Sequence, residues 1–193
     1  MKNVLVALFV LTVAFVAFVA TRPAAYHVER SMSFAASPEA AYAQIADFHN
    51  WDAWMPWGKL DPNMKKEYGG APSGTGATYH WVGNDKVGEG NMEIKNASAP
   101  SNVDIQLDFV KPFAARCETK FTIVPEGTGS KVTWGIDGRN DNLMGKAMCV
   151  FMGGMDKMMG PDFEKGLTAM KSAAEAAPAA PVAADSSATP SKS

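Results

Sequence analysis

"NVDIQLDFVKPFAARCETKFTIVPEGTGSKVTWGI", residues 102–136, carries three runs in which apolar and polar residues alternate. In the first, Val103, Ile105, Leu107 and Phe109 oppose Asp104, Gln106 and Asp108; in the second, Cys117, Thr119, Phe121 and Ile123 oppose Arg116, Glu118, Lys120 and Thr122. In the third, Val132, Trp134 and Ile136 lie against Lys131 and Thr133. Successive side chains of a strand point to opposite faces, so a period of two predicts strands with one apolar and one polar side. VKPFAA and EGTGS turn the chain between them. Short turns joining half-apolar strands predict an antiparallel sheet covered on one face only.

Upstream the same pattern recurs in NMEIKNA (91–97), ATYHWV (77–82, with Tyr79 and Trp81 on one face) and MKKEY (64–68), separated by glycine-rich turns. GEG at 88–90 reads as a turn or bulge. YHVERSMSF (26–34) is a further strand, and Arg30 falls on its apolar face with Val28, Met32 and Phe34. Ser37-Pro38-Glu39 then starts a short helix, with serine as N-cap, proline in the first turn and an acid beside it. Trp51, Trp54 and Trp57 follow at a spacing of three, and Pro56 and Pro62 stop any long helix through them. Downstream, Met144, Met148, Phe151, Met155, Met159, Phe163, Leu167 and Met170 recur at steps of three and four. That spacing predicts one amphipathic helix of up to about seven turns, bent or loosened at Gly153-Gly154 and Gly160-Pro161. The expected fold is therefore α+β: a curved antiparallel sheet of about six to seven strands around a long C-terminal helix.

The two ends of the chain have other characters. Val4 to Ala20 contains no charge and only Thr12 as a polar residue. A helix from Asn3 to Thr21 spans roughly 28 Å at about 1.5 Å per residue, close to the hydrocarbon thickness of a bilayer. A secretory signal would want small residues at both −1 and −3, but Phe15 and Phe18 stand at −3 before Ala17 and Ala20. Residues 1–25 are thus read as an uncleaved transmembrane anchor, with the folded part, residues 26–175, on the extracytoplasmic side. Residues 176–193, rich in Ala, Pro and Ser, lack large apolar side chains and are expected to be a disordered tail.

Charge and motif content exclude several functions. The net charge is −2 with acids and bases interleaved, so no basic face for nucleic acid is expected. The two cysteines, Cys117 and Cys149, form no CxxC and are read as buried thiols rather than a disulfide, and the three histidines fall in different elements. No metal and no cofactor is expected. GTGSK at 127–131 joins two strands and is a hairpin turn, not a phosphate loop.

VERS at 28–31, SPEAAYAQIADFHNWDAWMPW, MKKEYGG, GTGATYHWVGNDKVGEGNMEI, FVKPF and MGGMDKMMGPDFEKGL together resemble the SRPBCC superfamily, the START-like and polyketide-cyclase-like helix-grip proteins, over about residues 26–172. The resemblance implies a helix-grip fold, an incomplete barrel that closes with its long helix around an apolar cavity for a hydrophobic small molecule or lipid. The residues alone leave two readings of the aromatic and methionine side chains open, packed core or cavity wall. On the cavity reading the wall comprises Tyr79, Trp81, Phe109, Phe121, Trp134, Met148, Met152, Met155 and Met159. Trp57 stands at the mouth, while Trp51 and Trp54 pack the short helices onto the sheet. Arg30 either binds an acidic ligand group or pairs with a glutamate at the sheet edge. His80 and Glu93 lie on the polar side of their strands. The functional expectation is a membrane-anchored binding or carrier domain; the alternatives are a cyclase- or hydrolase-type enzyme using Arg30 with His80 or Glu93, and an envelope interaction module with a solid core.

Overall fold

The structure, a computed structural model, describes residues 1–177. Helix α1 (Lys2–Ala20) is long and apolar enough to cross a membrane, and of its residues only Val19 is buried. Strand β1 (Ala25–Phe34) follows, then α2 (Pro38–Ala46) and α3 (Trp51–Trp54). Six further strands come in succession: β2 (Lys65–Gly70), β3 (Ala77–Val82), β4 (Glu89–Ser98), β5 (Asn102–Lys111), β6 (Ala115–Glu126) and β7 (Gly129–Arg139). Helices α4 (Leu143–Phe151) and α5 (Met155–Ala176) close the described chain.

The seven strands form one antiparallel sheet in the order β1-β7-β6-β5-β4-β3-β2. Each consecutive pair from β2 to β7 is hydrogen-bonded directly, as short turns demand. β1 instead crosses over to pair with β7, from Ala25 opposite Arg139 to Phe34 opposite Ser130. A register shift between Glu89 and Gly90 places a β-bulge where GEG stands, with Gly88 at a φ of 73°. The apolar faces of β1 and β4 to β7 turn inward, and α5 lies against them with α2 and α3 beside it. Ser37 caps α2 through its hydroxyl, which accepts from the Ala40 amide at 3.3 Å.

The C-terminal helix differs from the single element expected from the methionine spacing. Gly153 and Gly154 take φ angles of 85° and 104°, backbone open to glycine but strained for other residues, and they divide the segment into α4 and α5. Pro161 sits inside α5 without ending it. The amide it lacks would have met the carbonyl of Lys157, and the buried row of Phe163, Leu167 and Met170 holds the helix on the sheet. The tail assigned to residues 176–193 lies, beyond Ala177, outside the described residues.

Candidate functional site

Four large aromatic side chains meet where α3 and α5 cross the sheet. The Trp134 and Phe163 rings stack with centroids 4.1 Å apart, Phe121 stacks on the same indole at 5.2 Å, and Trp54 meets it edge-on at 5.6 Å. Gly166 makes room for this stack: a Cβ there would lie 2.7 Å from the Trp134 ring. The indole N–H of Trp134 donates to the Thr119 hydroxyl at 3.0 Å, which donates to the Gly135 carbonyl at 2.8 Å. A buried tryptophan and threonine thereby satisfy one another.

Beside this stack the interior is open. A cavity of about 430 Å³ lies between the sheet and α5, floored by Trp134, Ile136 and Phe163 and walled by Tyr79, Trp81, Leu107 and Phe109. Met55, Trp57 and Met64 close one side, and Met158 and Met159 of α5 the other. Asp52, Asp85, Lys86, Lys111 and Asp162 are its charged rim. Most of that charge is paired: Lys66 with Asp52 at 2.5 Å, Lys111 with Glu89 at 2.6 Å and Lys165 with Asp162 at 3.1 Å. The cavity lining is predominantly apolar, with the Tyr79 hydroxyl and the Trp57 indole N–H among the polar groups its residues carry; among the described residues no fully buried side-chain nitrogen or oxygen is without a hydrogen-bond partner. Burial, with the neighbouring Tyr68 and Asp52, pushes the Tyr79 hydroxyl well above the ordinary phenol range, so it stays neutral at physiological pH.

Of the residues nominated from the sequence, Trp57, Tyr79, Trp81, Phe109, Trp134 and Met159 line this cavity; Arg30, Phe121, Met148, Met152 and Met155 do not. Phe121 is fully buried behind Trp134. Met148 is on α4 and Met152 just beyond it; both are exposed, because the break at Gly153-Gly154 turns α4 away from the sheet. Met155 begins α5 and packs on the core edge. Arg30 points inward, as its strand parity requires, but meets acids of α5: its guanidinium donates to Asp156 at 2.7 and 3.0 Å and to Glu164 at 2.8 Å. The Arg30 guanidinium holds the Asp156 carboxyl below its usual range. Gly160 lets the guanidinium approach, since a Cβ there would collide with Nη2. Arg30 is the edge clamp, not a ligand for the cavity.

His80 and Glu93 line a separate groove of about 310 Å³ on the polar side of the sheet, with Glu67, Gln106 and Asp108. His80 Nδ1 contacts the Asn91 side-chain oxygen at 2.8 Å, and Glu93 accepts from Lys95 at 2.9 Å. None of the three polar residues proposed for an enzyme therefore reaches the apolar cavity. Cys117 and Cys149 are free thiols; Cys117 is buried and lies 3.2 Å from the Tyr26 hydroxyl, whereas Cys149, on the outward-turned α4, is only half-buried. Among the described residues no group of three metal-ligating side chains occurs.

Sequence reading missed Leu107 and Ile136, which share the inward parity of Phe109 and Trp134, and Met158, which lies one residue off the methionine stripe. Parity could have found the first two. For Met158 the signal was its step of four to Asp162, a second row of α5 that also faces the cavity.

Fold and cavity together define a helix-grip protein. The chain belongs to the polyketide cyclase/dehydrase and lipid transport family, whose model matches residues 25–175. Solved structures show the same fold at low identity. TTHA0849 from Thermus thermophilus is 14% identical with a TM-score of 0.57, covering 77% of this chain and 97% of that one. MLL2253 from Mesorhizobium loti is 15% identical with a TM-score of 0.55, covering 77% and 96%. CV1439 from Chromobacterium violaceum is 11% identical with a TM-score of 0.56, also covering 77% and 96%. No curated protein matches the chain.

Proposed function

We propose that this protein is a membrane-tethered binding or carrier domain for a hydrophobic small molecule or lipid, with α1 as an uncleaved anchor and the domain on the extracytoplasmic side. The observation that carries the reading is the cavity: about 430 Å³, open to the surface and lined largely by aromatic and methionine side chains, within the range of small-molecule sites. A core under no demand for a ligand would close such a space, because an empty volume forfeits dispersion contacts. Its wall is predominantly apolar, so the complementary ligand is apolar over most of the part that enters and places its polar groups at the charged rim or the Tyr79 hydroxyl. α1 supports the tether, being apolar on all sides and packed against α4 at its domain end.

Native mass spectrometry of the full chain released from lipid nanodiscs, together with organic extraction, tests the binding reading. An apolar molecule in stoichiometric amount is expected. A chain that carries nothing and takes up neither phospholipid, fatty acid nor isoprenoid would remove it. Protease protection of the domain in intact cells reports the sidedness.

A further inference from the structure

Helix α4 reverses the usual distribution of side chains. Its water-facing side is apolar throughout: Leu143 is 46% exposed, Met144 74%, Met148 53%, Phe151 87% and the adjoining Met152 48%. The positions 144, 148 and 151/152 fall at helical spacing on one face, so the exposure is a continuous stripe. Outside α1 and Met1, the four most exposed large apolar side chains of the described residues are Phe151, Met144, Phe113 and Met148. Strand register, with the short link from β7 to α4 and the packing of α4 on α1, puts all four at one end of the sheet. β1 and β7 pair there through Ala25 and Arg139, Cys117 of β6 stands opposite Gly138, and the β5–β6 turn holding Phe113 projects from that end. The cavity reaches this end too, because Lys86 to Gly88 and Lys111 to Pro112 are part of its lining.

The same end receives α1. Val19 is buried, α1 packs on α4, and Lys146 of α4 donates to the Ala20 carbonyl at 3.4 Å. With α1 in a bilayer, Ala20 and Arg22 mark the level where hydrocarbon gives way to headgroups. α4 is held at that level with its apolar stripe outward and its one cation, Lys146, turned to the end of α1.

We propose that α4 and the Phe113 turn are embedded in the surface of the leaflet from which α1 emerges, so that the cavity mouth opens onto lipid rather than water. The proposal rests on the reading of α1 as a membrane anchor. A helix lying in the interface buries its apolar face ~5–10 Å below the headgroups, deep enough to cover Phe151, Met148 and Met144. The occupant of this face is the bilayer, since the membrane helix itself delivers the face to it.

The experiment uses the full chain carrying Cys149→Ser, reconstituted into vesicles of dioleoylphosphatidylcholine with a minority of dioleoylphosphatidylglycerol. A fluorophore is placed in turn through Phe151→Cys, Phe113→Cys, Val10→Cys in α1, and Thr128→Cys in the turn at the opposite end of the sheet. Each is exposed to a lipid-borne nitroxide quencher and to iodide in the water. The expected result is loss of emission to the nitroxide and protection from iodide at 151, 113 and 10, with the converse at 128. Iodide quenching at 151 with nitroxide quenching at 10 would overturn the proposal while leaving the anchor intact. Protection of 151 from both quenchers would overturn it in favour of a second copy or another protein on this face. Iodide quenching at position 10 would overturn the anchor reading and the proposal with it.

Discussion

The indole of Trp54 is 1% exposed, donates to the Gln44 carbonyl at 3.0 Å and meets Phe121 and Trp134 edge-on, while Trp57, three residues on, is only half-buried and borders the cavity. Trp54→Ala should accordingly cost about 3–5 kcal/mol in urea denaturation, the range for a large aromatic removed from a core. Trp57→Ala should cost markedly less and instead weaken the uptake of a hydrophobic probe such as diphenylhexatriene. Equal costs with unchanged uptake would make Trp57 core. Gly90 supports the cavity wall from behind. A Cβ at this position would collide with the Trp81 ring and stand 2.7 Å from the Asp108 carbonyl, and the backbone is the side that cannot yield. Gly90→Ala should push the Trp81 indole towards the cavity, lowering both the melting temperature and probe uptake. Sequence reading reached Trp57 through its proline neighbour and its place between helix and strand. It could not see the contact between Gly90 and Trp81, because that depends on cross-strand register.

Helix α5 is tied to the sheet edge by Arg30 of β1, which grips Asp156 and Glu164 one on each side of Gly160. Asp156 has its carboxyl pKa lowered by this contact, so its contribution to stability is present above the ordinary carboxylate range and is lost as pH falls through the lowered value. Arg30→Met should therefore be less stable than the parent at neutral pH, with the difference shrinking as the solution is acidified below that range. Chemical denaturation at a series of pH values measures it, and a pH-independent difference would assign the effect to packing alone. The break before α5 is the other control point. Gly154 combines a φ of 104° with a ψ of 158°, a region essentially reserved for glycine, so Gly154→Ala should destabilise by about 1–3 kcal/mol. The glycines were visible in the sequence as a weak point in a seven-turn stripe. That they end one helix and start another was not, because the methionine spacing continues in phase across them.

What the whole molecule can bind turns on the space beneath the sheet, and on its being a cavity rather than unfilled core. Leu107 lines it from β5 without being one of its fully buried supports. Leu107→Trp places an indole in that space, and the expected result is loss of probe uptake with a melting temperature unchanged or raised. Retained uptake would mean that the probe binds elsewhere, the exposed stripe on α4 being the first place to look.

The sequence by itself determined the strands, their inward faces, the cap on α2, the apolar helix at the N-terminus and membership of the helix-grip class. The elements and their faces follow from periods of two and of 3.6 and from local capping chemistry, which depend on neighbours close in the chain, whereas the helix-grip class came from the chain's resemblance to that family. Tertiary structure decided which inward residues border open space. Phe121 and Trp134 share a parity, pair across β6 and β7 and stack, yet one is buried behind the other. It also decided that Arg30 meets two acids of α5 and that Met148 and Met152 face outward. Periodicity assigns a face to each residue; the curvature of the sheet and the angle at which a helix crosses it assign the depth, and both are set by contacts between residues far apart in the chain.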